Sequence, residues 1–598
     1  MNSEIFYVLV GAVAVAAVAR WRGWPAPLLV TVVALAVSYI PGVPELEIDG
    51  ELLLNLVLPP LLYSAALDVS FVNFRQSLPQ IRRLGIWLVV ITTAAVGAVA
   101  FLIMPSLTLP GALLLGAIVA PPDAVSAASI GRRLGLPRRI MTVISGESLI
   151  NDATSLTLFR VFAAIVAGAT VTVLGGVWDF LVAVAVGVAV GLLFGVLLNL
   201  VRLRLSDPVA IGTFGLLVPF GAYAIAEHLG GSGVLAVVAM GLYVGYQAPR
   251  TSYTTRQQER PVWLSVDLLL ESFVFAYIGL QLPDVIGELA AGSESVIVQT
   301  IWLSVAALGV VLFVRPIFVF AGYSWGQWRQ RHRLARWRDG LARRSASPLA
   351  SGRRARIPTE AQMRMRMEPV LSRRDRVIVS WAGMRGVVTL ASAAAVADIV
   401  QGGLPDTALR AIVFVAFVVT VGTLLLQGLT LPLLIKSLGV AAADEKAEDA
   451  RELAEVRART HLEGRAYLTA KRAEWETRFG SGFADRFDRM ARSLTRFESD
   501  AEKVQAAEEA SGEGVAGAGG AGAGGAGAAA AGGEALPRPT FEDFAELSRG
   551  WLEVRRRVLI EHRDAGTLNE EVMRELIVAM DAEELALDTR GDLRGRTP

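Results

Sequence analysis

The sequence predicts an all-α polytopic membrane protein with about 13 transmembrane helices and a partly helical cytoplasmic tail. Its 598 residues have a mean hydropathy of +0.49, with 53% hydrophobic and 19% charged residues, which is not the balance of soluble domains. The apolar residues fall in blocks of about 20, the length that crosses a bilayer as a helix. Basic residues then occur only in alternate connections between these blocks. Together these observations exclude a purely soluble or disordered protein.

Thirteen apolar blocks account for the predicted helices of residues 1–440. They cover 5–19, 27–40, 52–67, 84–104, 111–128, 140–166, 176–200, 208–227, 232–246, 262–282, 297–322, 377–400 and 409–436. The first block could be a signal peptide, but Glu4 precedes it and no basic residue does. Arg20 and Arg22 follow it where a small-residue cleavage site would stand. We therefore expect a retained helix.

The basic residues of the connections predict the orientation in the membrane. Six connections hold 28 Lys and Arg residues, at 20–26, 69–84, 129–139, 201–208, 247–261 and 323–375, and the six connections between them hold none. Basic residues near span ends stay on the cytoplasmic side. This predicts an external N-terminus, thirteen spans and a cytoplasmic C-terminal tail, in the plasma membrane.

Charge and cysteine content exclude several kinds of chemistry. Residues 1–440 carry 34 Lys and Arg against 24 acidic residues, whereas residues 441–598 carry 23 against 32. There is no cysteine, and the four histidines are dispersed, so thiolate catalysis and cysteine-based zinc sites are excluded. No nucleophile arrangement or metal set occurs in the spans. We expect no cofactor, no bound metal other than a transported ion, no catalytic residue and no enzyme activity.

The fifth span contains the first polar candidate. Pro121 and Pro122 precede Asp123 within an apolar stretch, and they remove two backbone donors and obstruct helical hydrogen bonding. The helix should break near Asp123. Broken helices at membrane depth often build ion sites in transporters. The alternative is a proline kink with Asp123 at the edge of a loop.

The sixth span contains four polar residues within one apolar helix. Glu147 precedes Asn151, and Ser148 precedes Asp152, each by four residues, so the pairs form two adjacent stripes. A carboxylate beside a hydroxyl and an amide offers oxygen ligands to a monovalent cation, and the same carboxylate can bind a proton. The alternative is that these residues only form hydrogen bonds between helices.

Other charged residues lie in or near the spans. Arg315 and Arg385 each need a carboxylate or helix-end carbonyls nearby, and we expect Glu147 to pair with Arg315. Glu271 is the next buried acid, and Asp267 precedes it by one turn. Both arginines could equally be purely structural. Residues near span ends are expected to snorkel or to pair locally; these are Asp68, Arg160, Glu227 and Asp398.

Four motifs, taken in order, carry a resemblance to a known family. They are Ala-Pro-Pro-Asp-Ala-Val-Ser at 120–126, Gly-Glu-Ser-Leu-Ile-Asn-Asp-Ala at 146–153, Glu-Ser-Phe-Val-Phe at 271–275 and Gly-Met-Arg-Gly at 383–386. Together they resemble bacterial sodium/proton exchangers of the monovalent cation:proton antiporter-1 family. The resemblance implies a homodimer whose protomers have thirteen helices, inverted six-helix repeats, a dimerisation part and a moving core. The broken fifth and twelfth helices would cross in that core.

The resemblance also implies roles for individual residues. Asp152 would carry the ion or proton, and Asp123, Ser148 and a backbone carbonyl near Pro122 would contribute to the same site. Asn151 corresponds to the asparagine that marks electroneutral members. The ion pair of Glu147 and Arg315 would hold the core together, and Arg385 matches the arginine of the twelfth helix.

One position departs from the family pattern. Many members have an acid in the third span, in a sequence such as Pro-Pro-Leu-Leu-Phe-Glu, whereas this chain has Tyr63 and Ser64 at the last two positions of the corresponding Pro-Pro-Leu-Leu-Tyr-Ser. This departure weakens the case for assigning the family's cation preference, or its full set of ion ligands, to this chain.

Outside the spans the sequence predicts four further segments. Residues 323–375 form a basic cytoplasmic loop with fourteen Lys and Arg, expected to lie on anionic lipid head groups rather than on nucleic acid. Residues 441–510 form a helical tail, 511–536 a Gly/Ala-rich linker and 537–598 a C-terminal helical segment. The acidic tail is expected to dock on the basic loop or on an unidentified partner and to modulate activity.

The sequence thus favours a secondary antiporter in residues 1–440. It would exchange Na⁺, with Li⁺ or K⁺ as alternatives, for H⁺ by alternating access, electroneutrally if Asp152 carries the only exchanged charge, and would serve pH and sodium homeostasis. The alternatives are a transporter-like sensor or scaffold that signals through the tail, and a K⁺-selective exchanger. An ion channel fits less well because no filter-like loop is visible.

Overall fold

The computed structural model describes two compact units. They are Met1–Glu445 and Lys446–Pro598, here called the membrane unit and the tail unit. The described residues are 3–41, 50–169, 173–205, 207–290, 293–345, 371–400, 402–440, 443–480, 482, 484–492, 494 and 539–595. Within these residues all regular secondary structure is helical. The predicted linker at 511–536 and residues 346–370 of the basic loop lie outside the described residues.

The helices of the membrane unit follow the apolar blocks of the sequence. In chain order they are α1 (Ser3–Arg22), α2 (Ala26–Ser38), α3 (Gly50–Asp68), α4 (Phe71–Arg82), α5 (Val89–Ile103), α6 (Thr108–Val119), α7 (Ala124–Arg133), α8 (Arg138–Val166), α9 (Val173–Arg204), α10 (Pro208–His228), α11 (Gly233–Gln247), α12 (Tyr253–Ala290), α13 (Glu294–Ser345), α14 (Arg373–Trp381), α15 (Val387–Val400) and α16 (Asp406–Leu438). A π-helical turn, Arg83–Leu88, joins α4 to α5.

Eight helices of the described residues are long and apolar enough to cross a membrane. Each predicted apolar block coincides with one helix or with a pair of half-helices, so the all-helical membrane fold is confirmed, while the number of thirteen crossings stays a prediction. Three stretches differ from the prediction. Helix α4 (Phe71–Arg82) lies inside the predicted connection 69–84, and α12 begins at Tyr253, inside the predicted connection 247–261. Helix α13 continues to Ser345, so the basic segment begins as a helix. Arginine, leucine and alanine favour helix here, and the next proline after Pro316 is Pro348.

The membrane unit contains two groups of helices that pack mainly among themselves. The scaffold group consists of α1 to α3 and α9 to α12, with extensive packing of α9 on α11, α2 on α12 and α3 on α11. The core group consists of α4 to α8 and α13 to α16, with extensive packing of α5 on α6, α6 on α8 and α13 on α16. The two groups meet where α3 contacts α15 and where α12 contacts α16.

A glycine stripe brings α9 against α11 inside the scaffold group. A Cβ atom added to Gly191 would lie 2.1 Å from the Ala236 carbonyl oxygen, and one added to Gly187 would lie 2.5 Å from the Ser232 carbonyl oxygen. Only glycine allows backbones to approach this closely. The stripe therefore serves packing within one chain.

Two spans of the core group are interrupted. α6 ends at Val119 and α7 begins at Ala124, because Pro121 and Pro122 cannot continue the helical hydrogen bonds. α14 ends at Trp381 and α15 begins at Val387, and the segment between them contains Gly383 and Gly386. The interruptions expose backbone groups in the interior of the unit, and these groups must find partners there.

The tail unit contains three long helices and a helical stretch at 484–492. The helices are α17 (Ala443–Phe479), α18 (Phe541–Ala565) and α19 (Glu570–Gly595). Apolar side chains such as Trp475, Phe487 and Trp551 are buried together. Asp543 and Thr540 cap α18 reciprocally. Partial burial opposes ionisation of Asp543, but hydrogen bonds from Thr540 and the Arg478 guanidinium outweigh it and lower the pKa of Asp543.

Candidate ion site at two adjacent helix interruptions

The two interruptions lie next to each other and are joined by a main-chain hydrogen bond. The Asp123 backbone N–H donates to the Met384 carbonyl oxygen at 2.6 Å. Helix α8 attaches to the first interruption, since Asn151 Nδ2 donates to the Pro122 carbonyl oxygen at 2.9 Å. One turn later, Ser155 Oγ donates to the Ala117 carbonyl oxygen, also at 2.9 Å. The residues predicted on the fifth, sixth and twelfth spans are thus brought together.

Arg385 is held by carbonyl groups at the end of a half-helix. Its Nε donates to the Val119 carbonyl oxygen at 2.9 Å and its Nη2 to the Ala120 carbonyl oxygen at 3.0 Å. A further bond runs to the Gly383 carbonyl oxygen. The carbonyl end of a helix carries partial negative charge and so stabilises a cation. Of the two partners that the sequence left open for Arg385, the structure provides the carbonyls.

Glu147 and Arg315 form a two-pronged ion pair, as expected from the sequence. Arg315 Nη2 donates to Glu147 Oε2 at 2.9 Å, and Nη1 contacts Oε1. Arg315 Nε donates to the Val379 carbonyl oxygen in the last turn of α14 at 3.1 Å. Only 1% of Glu147 and 2% of Arg315 is exposed. The pair therefore connects α8, α13 and α14 in the interior of the core group.

Asp123 lies against the start of α15. A Cβ atom added to Gly386, the residue just before α15, would lie 2.4 Å from Asp123 Oδ2. The carboxylate therefore contacts backbone at the amino end of a helix, where negative charge is favoured. Only glycine at position 386 allows this approach.

Asp152 is a buried carboxylate of the site, and no Lys or Arg among the described residues pairs with it. Only 6% of the residue is exposed, and Asp123 is close enough for the two charges to interact. Among the described residues no ion pair involves Asp152, whereas Glu147 has Arg315. In the part of the chain that the structure describes, buried Asn151 Oδ1 also has no hydrogen-bond partner. Ser148 lies one turn before Asp152 and is partly buried.

A second group of acids extends from the site along α12. Glu271 is partly buried and interacts electrostatically with Asp123 and with Asp267, one turn earlier. Asp267 Oδ2 accepts a hydrogen bond from Ser64 Oγ at 2.6 Å. Ser64, the position that departs from the resembled motif, thus contacts an acid of a neighbouring helix. In the sequence, the four-residue spacing of Asp267 and Glu271 indicated two acids on one face of a helix. It did not indicate which residues of other helices they contact.

Tyr63, the other residue at the departing position, also faces charged groups. Its hydroxyl oxygen accepts a hydrogen bond from Arg202 Nη2 at 3.5 Å, and the same nitrogen donates to Glu259 Oε1 at 2.6 Å. Neither Arg202 nor Glu259 was a candidate from the sequence. Both lie near span ends, where charged residues are ordinary, so only their contacts distinguish them.

Within the described part of the chain, no group of three or more His, Asp or Glu residues is arranged to hold a metal ion. The Asp152 carboxylate interacts with the Asp123 carboxylate, and its chain neighbour Asn151 has a buried amide oxygen and donates to the Pro122 carbonyl. Such a set suits a weakly held monovalent cation better than a resident divalent one.

We predict that replacing Gly386 by alanine reduces any ion transport at least tenfold. The new methyl group would displace the Asp123 carboxylate, and a small misplacement of a functional group has large effects on rate. The measurement is ion-driven proton movement in proteoliposomes. Gly309→Ala is the matched control, because nothing lies within 4 Å of a Cβ atom there. Equal loss in both variants would contradict the assigned position of Asp123.

Comparisons with known proteins agree on one family. The family model described as "Sodium/hydrogen exchanger, transmembrane" matches residues 5–437. An uncharacterised Na⁺/H⁺ exchanger of Mycobacterium tuberculosis, Rv2287, is 33% identical over 436 residues, covering 72% of this chain and 74% of the relative. The Na⁺/H⁺ antiporter ApNhaP of Aphanothece halophytica is 28% identical over 423 residues, covering 70% and 71%.

A solved structure has a similar fold. The sodium proton antiporter MjNhaP1 of Methanocaldococcus jannaschii matches with a TM-score of 0.51 and 17% sequence identity. The match covers 73% of this chain and 98% of MjNhaP1. The helical membrane fold described above is therefore that of a known antiporter structure.

Proposed function

The chain belongs to the sodium/hydrogen exchanger family, whose members are secondary transporters rather than enzymes, and on that premise we propose that it exchanges Na⁺ for H⁺ across the membrane through Asp152. The exchange would take place in the membrane unit. The residues proposed to hold the ions are those beside the two adjacent helix interruptions.

The observation that carries this proposal is the charge balance at Asp152. A buried carboxylate without a partner is unstable as an anion, and within the described residues none of the nearby arginines pairs with it. Arg315 is occupied by Glu147, and Arg385 by three carbonyl groups. The charge of Asp152 must therefore be balanced by something mobile. A proton and a small cation both do this, and they cannot do it at once.

We infer the following cycle from that competition. Asp152 releases its proton on one side and takes up Na⁺, with oxygen ligands from Asp123, Ser148, Asn151 Oδ1 and the Pro122 carbonyl. That carbonyl already accepts a hydrogen bond from Asn151, but its oxygen has a second lone pair. The core group then moves relative to the scaffold group and opens the site to the other side. Release of Na⁺ and binding of a proton complete the exchange.

The remaining details of the proposal follow from one exchanged charge. If Asp152 is the only group that exchanges its bound ion, one Na⁺ replaces one proton and the exchange is electroneutral. Glu147, Arg315 and Arg385 keep fixed partners and would hold the core group together, while Glu271 would contribute negative charge beside the site. We further propose a homodimer in the plasma membrane, with the N-terminus outside, that serves pH and sodium homeostasis.

The test is proton movement in proteoliposomes that carry a pH gradient and an internal reporter dye. Na⁺, Li⁺ and K⁺ are added in turn, and the ion that collapses the gradient identifies the substrate. An imposed membrane potential is expected to leave the rate unchanged at saturating ion concentrations. A response to K⁺ alone would replace the sodium assignment by a K⁺-selective exchanger. No response to any cation between about pH 5.5 and 9, where a perturbed carboxylate titrates, would favour a sensor that signals through the tail.

A further inference from the structure

An ion pair connects the core group to the scaffold group. Arg160 Nη1, on α8, contacts Glu227 Oε2, on α10, and Arg160 Nη2 donates to the Tyr223 hydroxyl oxygen at 3.3 Å. The other carboxylate oxygen, Glu227 Oε1, accepts a hydrogen bond from the Gly233 backbone N–H at 2.8 Å. Arg160 and Glu227, expected to snorkel or to pair locally, instead pair with each other across 67 residues of sequence. The pair crosses between helices that otherwise belong to separate groups.

A second polar contact crosses between the two groups. Asp398, near the end of α15, accepts a hydrogen bond from the Gly50 backbone N–H, at the start of α3, with 3.0 Å between Oδ2 and the nitrogen. The helices touch closely here, since a Cβ atom added to Gly50 would lie 2.4 Å from the Ala395 Cα. Asp398 thus places negative charge at the amino end of a scaffold helix.

The predicted topology puts both contacts at the same end of the membrane unit. Arg160, Glu227 and Asp398 precede the connections at 167–175, 229–232 and 401–405, and Gly50 follows the connection at 41–49, all of which lack Lys and Arg. The basic-residue rule places these connections outside. At the opposite end, Arg133 Nη1 donates to the Gly23 carbonyl oxygen at 2.9 Å, a contact with an uncharged partner.

We infer that Arg160, Glu227 and Asp398 form an outer latch, which holds the two helix groups together on the external side and must open once in each transport cycle. This inference rests on the proposed alternating-access exchange and adds to it a device that keeps the site closed to the outside. The latch suits repeated opening, because the side chains of Arg160 and Glu227 are 44% and 24% exposed. Ion pairs that remain partly exposed are weak and can separate without a large barrier.

The chain contains no cysteine, so introduced thiols react without background. In the variant Arg160→Cys with Glu227→Cys, a short reducible thiol cross-linker would join the two groups. We expect cross-linking to reduce Na⁺/H⁺ exchange in proteoliposomes at least tenfold and a reductant to restore it. The control is Trp381→Cys with Thr430→Cys, whose native side chains share a hydrogen bond of 2.8 Å within the core group. Cross-linking this pair should leave exchange unchanged, and an unchanged rate in the cross-linked latch variant would overturn the inference.

A second experiment tests the latch without relying on transport. Ala395 is fully buried near the contact of α3 and α15, so a cysteine there should react with a membrane-impermeant thiol reagent only when the external side opens. We expect Glu227→Gln to increase the labelling rate of Ala395→Cys from outside at least fivefold. Reversing the pair, with Arg160→Glu and Glu227→Arg together, should return the rate towards that of Ala395→Cys alone. Equal rates in all three backgrounds would overturn the latch while leaving the ion site untouched.

Discussion

Replacing Asp152 by asparagine is expected to abolish Na⁺/H⁺ exchange, with a loss of at least a hundredfold in proton movement driven by the cation. The amide has nearly the same shape, so the packing of α8 is preserved. It cannot release a proton, and it carries no charge to balance a cation in a buried site. Because both ions are proposed to compete for this group, its removal stops both halves of the cycle. The measurement is the proteoliposome assay at a saturating Na⁺ concentration.

The matched control for this substitution is Asp284→Asn. Asp284 is an exposed carboxylate on α12 of the same unit, and the same chemical change there should leave the rate within about twofold. Thermal stability of both proteins in detergent should resemble that of the unchanged protein. Exchange that persists in a correctly folded Asp152→Asn protein would show that another group carries the ions. Asp123 would then be the first candidate, because its carboxylate interacts electrostatically with that of Asp152.

The second large effect is expected at the ion pair of the core group. Replacing Glu147 by glutamine leaves Arg315 charged and buried without its two-pronged partner, although one bond to the Val379 carbonyl remains. Removing one member of a buried pair costs about 3–5 kcal/mol. We expect a clear fall in the detergent unfolding temperature and reduced amounts of folded protein. Exchange should fall with the folded fraction, since neither residue is proposed to bind the transported ion.

A double-mutant cycle separates this explanation from general damage. With Arg315→Gln added, no uncompensated charge remains, so the double variant should be more stable than the sum of the single effects predicts, by about 0.5–3 kcal/mol. The exposed pair of Arg459 and Glu463 in the tail is the control. Glu463→Gln should cost less than about 1 kcal/mol. Additive effects at Glu147 and Arg315 would show that the pair is not energetically coupled.

The helical membrane fold could be predicted from the sequence because its cause is local. A bilayer requires every backbone polar group to be satisfied within the segment, so long apolar stretches must be helices, and α8 and α9 follow their apolar blocks directly. The break at Pro121 and Pro122 is equally local, since a proline disrupts hydrogen bonds within its own turn. The polar residues around Asp152 stood out because charged groups inside an apolar helix are costly. Their roles stay predictions until the variants are measured.

The interaction partners of the buried charged residues are harder to predict from the sequence, because the partners are distant along the chain and the hydrophobicity pattern does not identify them. Arg315 meets a carboxylate 168 residues away, and Arg385 meets carbonyl groups about 265 residues away. The sequence pointed to Glu147 as the partner of Arg315 but left the partner of Arg385 open between a carboxylate and carbonyl groups, and only the packing of the half-helices selects the carbonyl groups. The half-helices also place Gly386 against Asp123, whereas the contact of α8 with α10 places Glu227 against Arg160. Composition and spacing by themselves determined that the chain crosses the membrane as helices with polar residues inside. Only the tertiary structure decided which of those described residues has no compensating charge, because burial and charge compensation depend on all the neighbouring helices at once.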